Sequence, residues 1–191
     1  MRIVVMVSGS GTNLQAVLDA VRDGRIDVEI AAVGADKPCR GLERAQAAGI
    51  PTFLVRPGEH PDRESWNRAL QEAVAAHAPD RVLFAGFMRI VDAGFVAAFE
   101  GRIVNTHPSL LPSFPGAHAV RDALAHGVRI TGVTVHEVVA DVDAGPILAQ
   151  AAVPVEDGDD ERTLHERIKT AERELLVATL GALARAPHPA R

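Results

Sequence analysis

The chain has a single cysteine, Cys39, among 191 residues. One thiol rules out an intrachain disulfide and leaves too few soft ligands for a structural zinc site. A basic excess is also missing. Twenty Lys and Arg stand against 25 Asp and Glu, giving a formal net charge of −5 and a pI near 5.9. A nucleic-acid partner would normally call for a basic domain, so none is expected. An anionic ligand must then be held by a local site rather than drawn in by the whole molecule. No apolar stretch approaches the ~20 residues of a membrane span, so no membrane partner is expected. The N-terminus reaches glycines after a short apolar run, as a first strand does and a signal peptide does not. Internal repeats and low-complexity blocks are absent as well. The expectation is a cytoplasmic protein whose partners are small molecules.

What is present alternates between two periods. Arg2–Val7 is a continuous β-branched run of the kind buried on both faces of a sheet. Strands are expected at Val28–Val33, Thr52–Val55, Arg81–Ala85 and Arg102–Val104, with helices near Asn13–Asp23, Arg40–Ala48, Asp62–Ala76 and Ala93–Phe99 between them. Asp62 suits the N-cap of the third helix, and Trp66, Leu70, Ala73 and Val74 form its stripe. After Pro112 the order changes. A Pro- and Gly-rich loop leads to a helix near Ala119–Ala125. Strands Ile130–Val138 and Pro146–Val155 then follow with no long helix between them, before a closing helix at Glu161–Leu183. This predicts an α/β fold: a Rossmann-like open twisted sheet, parallel in its N-terminal part, with an antiparallel C-terminal extension and helices on both faces. Residues 1–185 read as one domain, and 186–191, with two prolines, as a frayed tail.

Three loops at strand ends carry chemistry. Ser8-Gly9-Ser10-Gly11-Thr12-Asn13 joins the first strand to the first helix. Its glycines let backbone N–H groups approach an anion, and the helix start adds unpaired donors and positive dipole. A dinucleotide fingerprint would need glycine at position 14, which is leucine, and the Gly-Lys-Ser/Thr of a Walker loop is missing. A site for one phosphate remains. Asp36, just past the second strand, stands where a ribose-binding acid could sit. Gly86-Phe87-Met88-Arg89-Ile90-Val91 follows the fourth strand and is too apolar for a solvated loop. It suits a slot for a flat heterocycle, with Arg63 nearby as a partner for an anionic ligand.

The most informative segment is Asn105-Thr106-His107-Pro108-Ser109-Leu110-Leu111-Pro112. Residues i and i+2 of a strand point to one side, so Asn105 and His107 should share a pocket. A carboxamide that can bind an oxygen beside an imidazole that can move a proton suits acyl or formyl transfer. A carboxylate would hold the imidazole charged and oriented. Asp143 and Asp141, on the loop between the two late strands, both qualify. His136 and His118 read as supporting rather than reacting groups.

These segments, with Gly41-Leu42-Glu43-Arg44-Ala45 and Asp143-Ala144-Gly145-Pro146, occur together and in order. In them the chain resembles, nearly end to end, the folate-dependent phosphoribosylglycinamide formyltransferases. The resemblance implies a one-carbon transfer from 10-formyltetrahydrofolate to glycinamide ribonucleotide in purine biosynthesis, with no metal and with monomer or homodimer both open. It implies a catalytic trio of Asn105, His107 and Asp143, and a substrate-phosphate loop of Gly11, Thr12 and Asn13. It implies folate contacts at Arg63, Met88, Arg89, Ile90, Val91 and Asn105, and a nucleotide contact at Glu172. Two departures stand out: Ala35-Asp36-Lys37 where the family often shows Ser-Asn-Lys, and Ser113 where a lysine is common. The related methionyl-tRNA formyltransferases carry an extra RNA-binding domain, and the deformylases an N-terminal regulatory one. Neither is expected in a chain of this length and charge.

Overall fold

The structure, a computed structural model, describes residues 1–186. The tail expected to fray therefore lies, from 187 on, outside the described residues. Seven strands form one sheet: β1 (Arg2–Val7), β2 (Glu29–Ala35), β3 (Thr52–Leu54), β4 (Arg81–Phe84), β5 (Ile103–His107), β6 (Ile130–Glu137) and β7 (Ile147–Pro154). Their spatial order is β3-β2-β1-β4-β5-β6-β7. The first five pair in parallel, and the β5–β6 and β6–β7 pairs are antiparallel. The predicted architecture is thus the observed one.

Six helices cover the sheet: α1 (Thr12–Arg22), α2 (Arg40–Ala47), α3 (Arg63–Ala75), α4 (Ala93–Ala98), α5 (Ala119–His126) and α6 (Glu161–Arg185). The predicted boundaries hold to within a few residues. The largest shift is at β5, which continues through Asn105 and Thr106 to His107 instead of stopping at Val104. Polar side chains at those positions hid a strand whose ladder to β6 supplies the order.

Alternate residues of each strand go to opposite faces. Ile3, Val5, Val7, Leu83 and Val104 pack with Leu14 and Val17 of α1 and Leu176 and Leu180 of α6. Val4, Met6, Val82, Phe84 and Ile103 pack with Trp66 and Leu70 of α3 and Phe95 of α4. Each such buried side chain contributes about 1.5–3 kcal/mol from burial. By the same alternation, Asn105 and His107 share the α3/α4 face with Ile103, while Thr106 faces α6.

From β1 the chain moves outward to β2 and β3, then returns to β4 on β1's other side. That reversal makes the carboxyl ends of β1 and β4 a switch point, where loops diverge and leave a crevice. Two loops meet there: the Ala85 N–H donates to the Met6 carbonyl at 2.9 Å, and the Ser8 N–H to the Gly86 carbonyl at 3.1 Å.

The helix that carries Glu172 starts in a capping box, with the Asp160 carboxylate accepting the Thr163 N–H at 2.7 Å and Thr163 Oγ1 accepting the Asp160 N–H at 3.0 Å. Asp160→Ala should lower stability by about 1 kcal/mol, read as a shift of the urea midpoint. An unshifted midpoint would mean the 25-residue helix is held by its packing alone.

Candidate active site

The first loop is shaped by its neighbour α2. Gly11 sits at φ 68°, and a Cβ there would come within 2.6 Å of Gly41 Cα, so a side chain would be strained and would collide. Gly41 in turn lies against Val7 and donates its N–H to the Gly9 carbonyl at 3.0 Å. Arg44 Nε donates to the Ser10 carbonyl at 2.8 Å and its Nη1 to Gln15 at 2.9 Å. These contacts leave the start of α1 without a side-chain cap and without an acidic residue in its first turn. Asn13 is buried, and its Oδ1 lacks a hydrogen-bond partner. The open N–H groups of the first helical turn suit an anion, while the Asn13 Oδ1 is an acceptor left for a donor.

The second loop is bound to the first. Met88 and Ile90 are 78% and 63% exposed, whereas Val91 is buried. Two large apolar side chains left in solvent beside a crevice are what a heterocycle would cover. Arg63 Nη2 donates to the Ile90 carbonyl at 2.6 Å, so its guanidinium braces this loop from α3.

The third group is the densest. In the β5–β6 ladder Asn105 lies opposite His136, and His107 opposite Thr134. Directly opposed residues share a face, which places His136 beside Asn105, with Asn105 Nδ2 3.3 Å from His136 Nε2. His136 Nδ1 is 2.9 Å from the Glu137 carbonyl. A carbonyl only accepts, so the proton sits on Nδ1 and Nε2 offers its lone pair to Asn105. Burial pushes the His136 pKa below its ordinary value, against the opposing pull of the Glu137 carbonyl and of Asp143, with His107 adding to the fall. His136 is therefore a neutral acceptor that sets the orientation of the Asn105 amide.

Asp143 joins the two imidazoles. Its Oδ2 lies 3.4 Å from His107 Nδ1 and its Oδ1 3.7 Å from His136 Nε2. The Gly116 N–H donates to Oδ2 at 2.8 Å. Asp143 and not Asp141 is thus the acid that reaches the cluster; Asp141 is exposed at the start of the same loop. Asp143 takes a φ of 55°, and the loop closes tightly because a Cβ on Gly145 would overlap the Glu137 carbonyl oxygen. His107 is 5% exposed, and its Nε2 lies 2.9 Å from the Phe114 carbonyl. Both ring nitrogens of His107 thus face oxygen atoms.

The turn after β5 is held from β6. Thr134 Oγ1 donates to the Ser109 carbonyl at 2.7 Å and accepts the Leu111 N–H at 3.0 Å. Ser109 Oγ donates to the Ser113 carbonyl at 2.5 Å. Segment 113–118 is thereby folded onto His107 and Asp143. Across β5, Glu172 of α6 is buried and accepts Thr106 Oγ1–H at 2.5 Å. Glu172 therefore stands on the α1/α6 face, behind the strand that carries Asn105 and His107. His118 is exposed at the start of α5, away from these contacts.

The structure thus brings Asn105, His107 and Asp143 together, and joins Arg63 to Ile90. It adds three groups that the sequence left as secondary or unused: His136, Asp36 and Ser8. For His136 the sequence offered only a histidine on an expected strand. Arg89 is exposed beside Met88 and Ile90 and bonds Asp36 through its Nε at 2.7 Å.

The fold and these loops define a formyl transferase: the chain matches that family over residues 1–180 and belongs to it. It is 56% identical, over 96% of its length and 85% of the relative's, to the phosphoribosylglycinamide formyltransferase of Mycobacterium tuberculosis (strain ATCC 25618 / H37Rv). With the enzyme of that name from Escherichia coli (strain K12) it shares 44% identity over 90% of this chain and 82% of the relative. Among solved structures, glycinamide ribonucleotide transformylase 1 from Symbiobacterium toebii superposes with a TM-score of 0.94 at 47% identity. That superposition covers 96% of this chain and 87% of the other. Among the described residues no helix is long and apolar enough to cross a membrane.

Burial of His136 has a consequence for stability. Its folded pKa lies below the unfolded value near 6.5. At a pH between the two values the unfolded chain binds the extra proton, so stability falls as pH drops below about 6.5 and is fully present above it. His165, lowered chiefly by burial, acts with the same sign. Urea midpoints at pH 7.5 and 5.5 should show the loss in the wild type and a smaller one in His136→Gln. Equal losses would mean that His136 is protonated in the fold.

Proposed function

We propose that the protein transfers the formyl group of 10-formyltetrahydrofolate to the amine of glycinamide ribonucleotide, giving the N-formyl nucleotide and tetrahydrofolate. The observation that carries this reading is the buried cluster of Asn105, His107, His136 and Asp143 beside the switch point. Membership of the formyl transferase family supports the reaction class.

The nucleotide's phosphate takes the open N–H groups at Gly11, Thr12 and Asn13, and Glu172 approaches the same substrate from the α6 side. The pterin lies on the loop of Met88, Arg89, Ile90 and Val91, braced by Arg63. The two substrates meet across the end of β5. The amine nitrogen attacks the formyl carbon and a tetrahedral oxyanion forms. Asn105 Nδ2–H, turned by His136, and an N–H of protonated His107 donate to that oxygen. The His107 Nε2–H now given to the Phe114 carbonyl is the donor an oxyanion can take over, so segment 113–118 yields as the substrates bind. Asp143 keeps His107 charged and takes the amine proton through water. The carbon–nitrogen bond to folate then breaks and the proton passes to the leaving nitrogen. The formyl group arrives already activated, and no step calls for a metal. The reading is of a single domain over residues 1–185, acting in the cytoplasm as a monomer or a homodimer.

One assay tests the reaction. Purified protein is mixed with 10-formyltetrahydrofolate, with and without glycinamide ribonucleotide. Tetrahydrofolate release only with the nucleotide is expected. Release without it would make the protein a hydrolase, and none in either case a binding protein. His107→Ala should lower kcat by ~10²–10⁴-fold and Asn105→Ala by ~10²–10³-fold, each in a folded variant. Wild-type turnover in either would sink the assignment of that residue.

A further inference from the structure

Asp36 follows β2 directly and is 2% exposed, yet it does no packing work. Both of its oxygens are taken. Ser8 Oγ donates to Oδ1 at 2.6 Å and Arg89 Nε to Oδ2 at 2.7 Å. Ser8, itself 3% exposed, accepts the Met88 N–H on its Oγ at 2.9 Å and gives its own N–H to the Gly86 carbonyl at 3.1 Å. Three successive points of the second loop, at Gly86, Met88 and Arg89, are thus held by the residue that opens the phosphate loop and the residue that follows β2.

The position after β2 can serve a ribose hydroxyl in an open α/β sheet. Here each carboxylate oxygen already holds a donor from the protein. A buried carboxylate is tolerated when it is paired and hydrogen-bonded, and the guanidinium of Arg89 supplies the charge from the rim of the crevice. An asparagine, which the family often shows here, would set an NH2 donor against either the Ser8 hydroxyl or the Arg89 Nε–H, where the carboxylate presents an acceptor to each.

We propose that Ser8 and Asp36 are positioning residues for the folate: through Met88 and Arg89 they hold the 86–91 loop in the shape that receives the pterin. Arg89 then acts on Asp36 rather than on the ligand. The inference rests on the reading of Met88–Val91 as the folate slot, and its test separates the two.

Two measurements on the whole protein decide it. Exchange of the Met88 amide in the free protein reads the network without any substrate. Exchange should be slow in the wild type and at least tenfold faster in Ser8→Ala. With both substrates present, the KM for 10-formyltetrahydrofolate should rise about tenfold in Ser8→Ala and Asp36→Ala, the value of about one net hydrogen bond, and by more than kcat or the nucleotide KM changes. Asp36→Asn, which keeps one acceptor, should recover part of that loss. Combining Asp36→Asn with Arg89→Met should be no worse than Arg89→Met alone. Unchanged Met88 exchange in Ser8→Ala would overturn the network. Faster exchange with an unchanged folate KM would overturn its role in folate binding. Should the wild type transfer no formyl group, the functional reading fails, and the tetrahydrofolate Kd of the same variants decides this inference in place of KM.

Discussion

Asn105 lies directly opposite His136 because β5 and β6 run antiparallel in one particular register. Much of the chemistry depends on that pairing. It puts an acceptor imidazole against the amide, so the amide has one orientation. It sets Thr134 opposite His107, where the Thr134 hydroxyl holds the Ser109–Leu111 turn. It also ends β6 at Glu137, whose carbonyl both receives the His136 proton and bounds the loop that carries Asp143. A one-residue slip would turn every side chain of β6 to the other face. His136 would then enter the α1/α6 core, and Val135 would stand beside Asn105.

The cluster is a study in acceptors. His107 meets a carboxylate and a carbonyl, and His136 meets a carbonyl and an amide N–H. The two histidines are therefore set in different surroundings. Burial drives one toward neutrality, while the other is ringed by oxygen. The His136 Nδ1 proton is committed to the Glu137 carbonyl, so the lone pair on its Nε2 is left for the Asn105 amide.

Much of this was legible in the residues. Strand and helix periods located all seven strands and six helices, because the β1 run and the stripes of α3 and α6 are strongly patterned. Asn105 and His107 could be paired by the period of a strand alone. Asp143 could be proposed but not separated from Asp141, since only the tight closure at Gly145 decides which acid swings inward. The particular roles of His136 and Asp36 were out of reach for a different reason. Their roles come from long-range partners, His136 across an antiparallel register and Asp36 across the two sides of a switch point, and local sequence holds no record of either. Glu172 was placed by resemblance, and only the 25-residue reach of α6 brings it to the back of β5.

The division of the site between the two faces of the sheet explains why so many separate segments take part. The anion-binding turn and Glu172 belong to the α1/α6 face, while the apolar loop and Arg63 belong to the α3/α4 face. A group passed from one bound molecule to another must cross the plane of the sheet, and the plane is open only at the carboxyl ends of the strands. β5 ends there with Asn105 and His107 on one face and Thr106 on the other, so a single strand presents polar side chains to both faces. Thr106 is bonded to Glu172, and its two neighbours in sequence are bonded to His136 and Asp143. Movement of the strand end would disturb the groups on both faces at once, and the dense bonding around residues 105–111 holds that end in place.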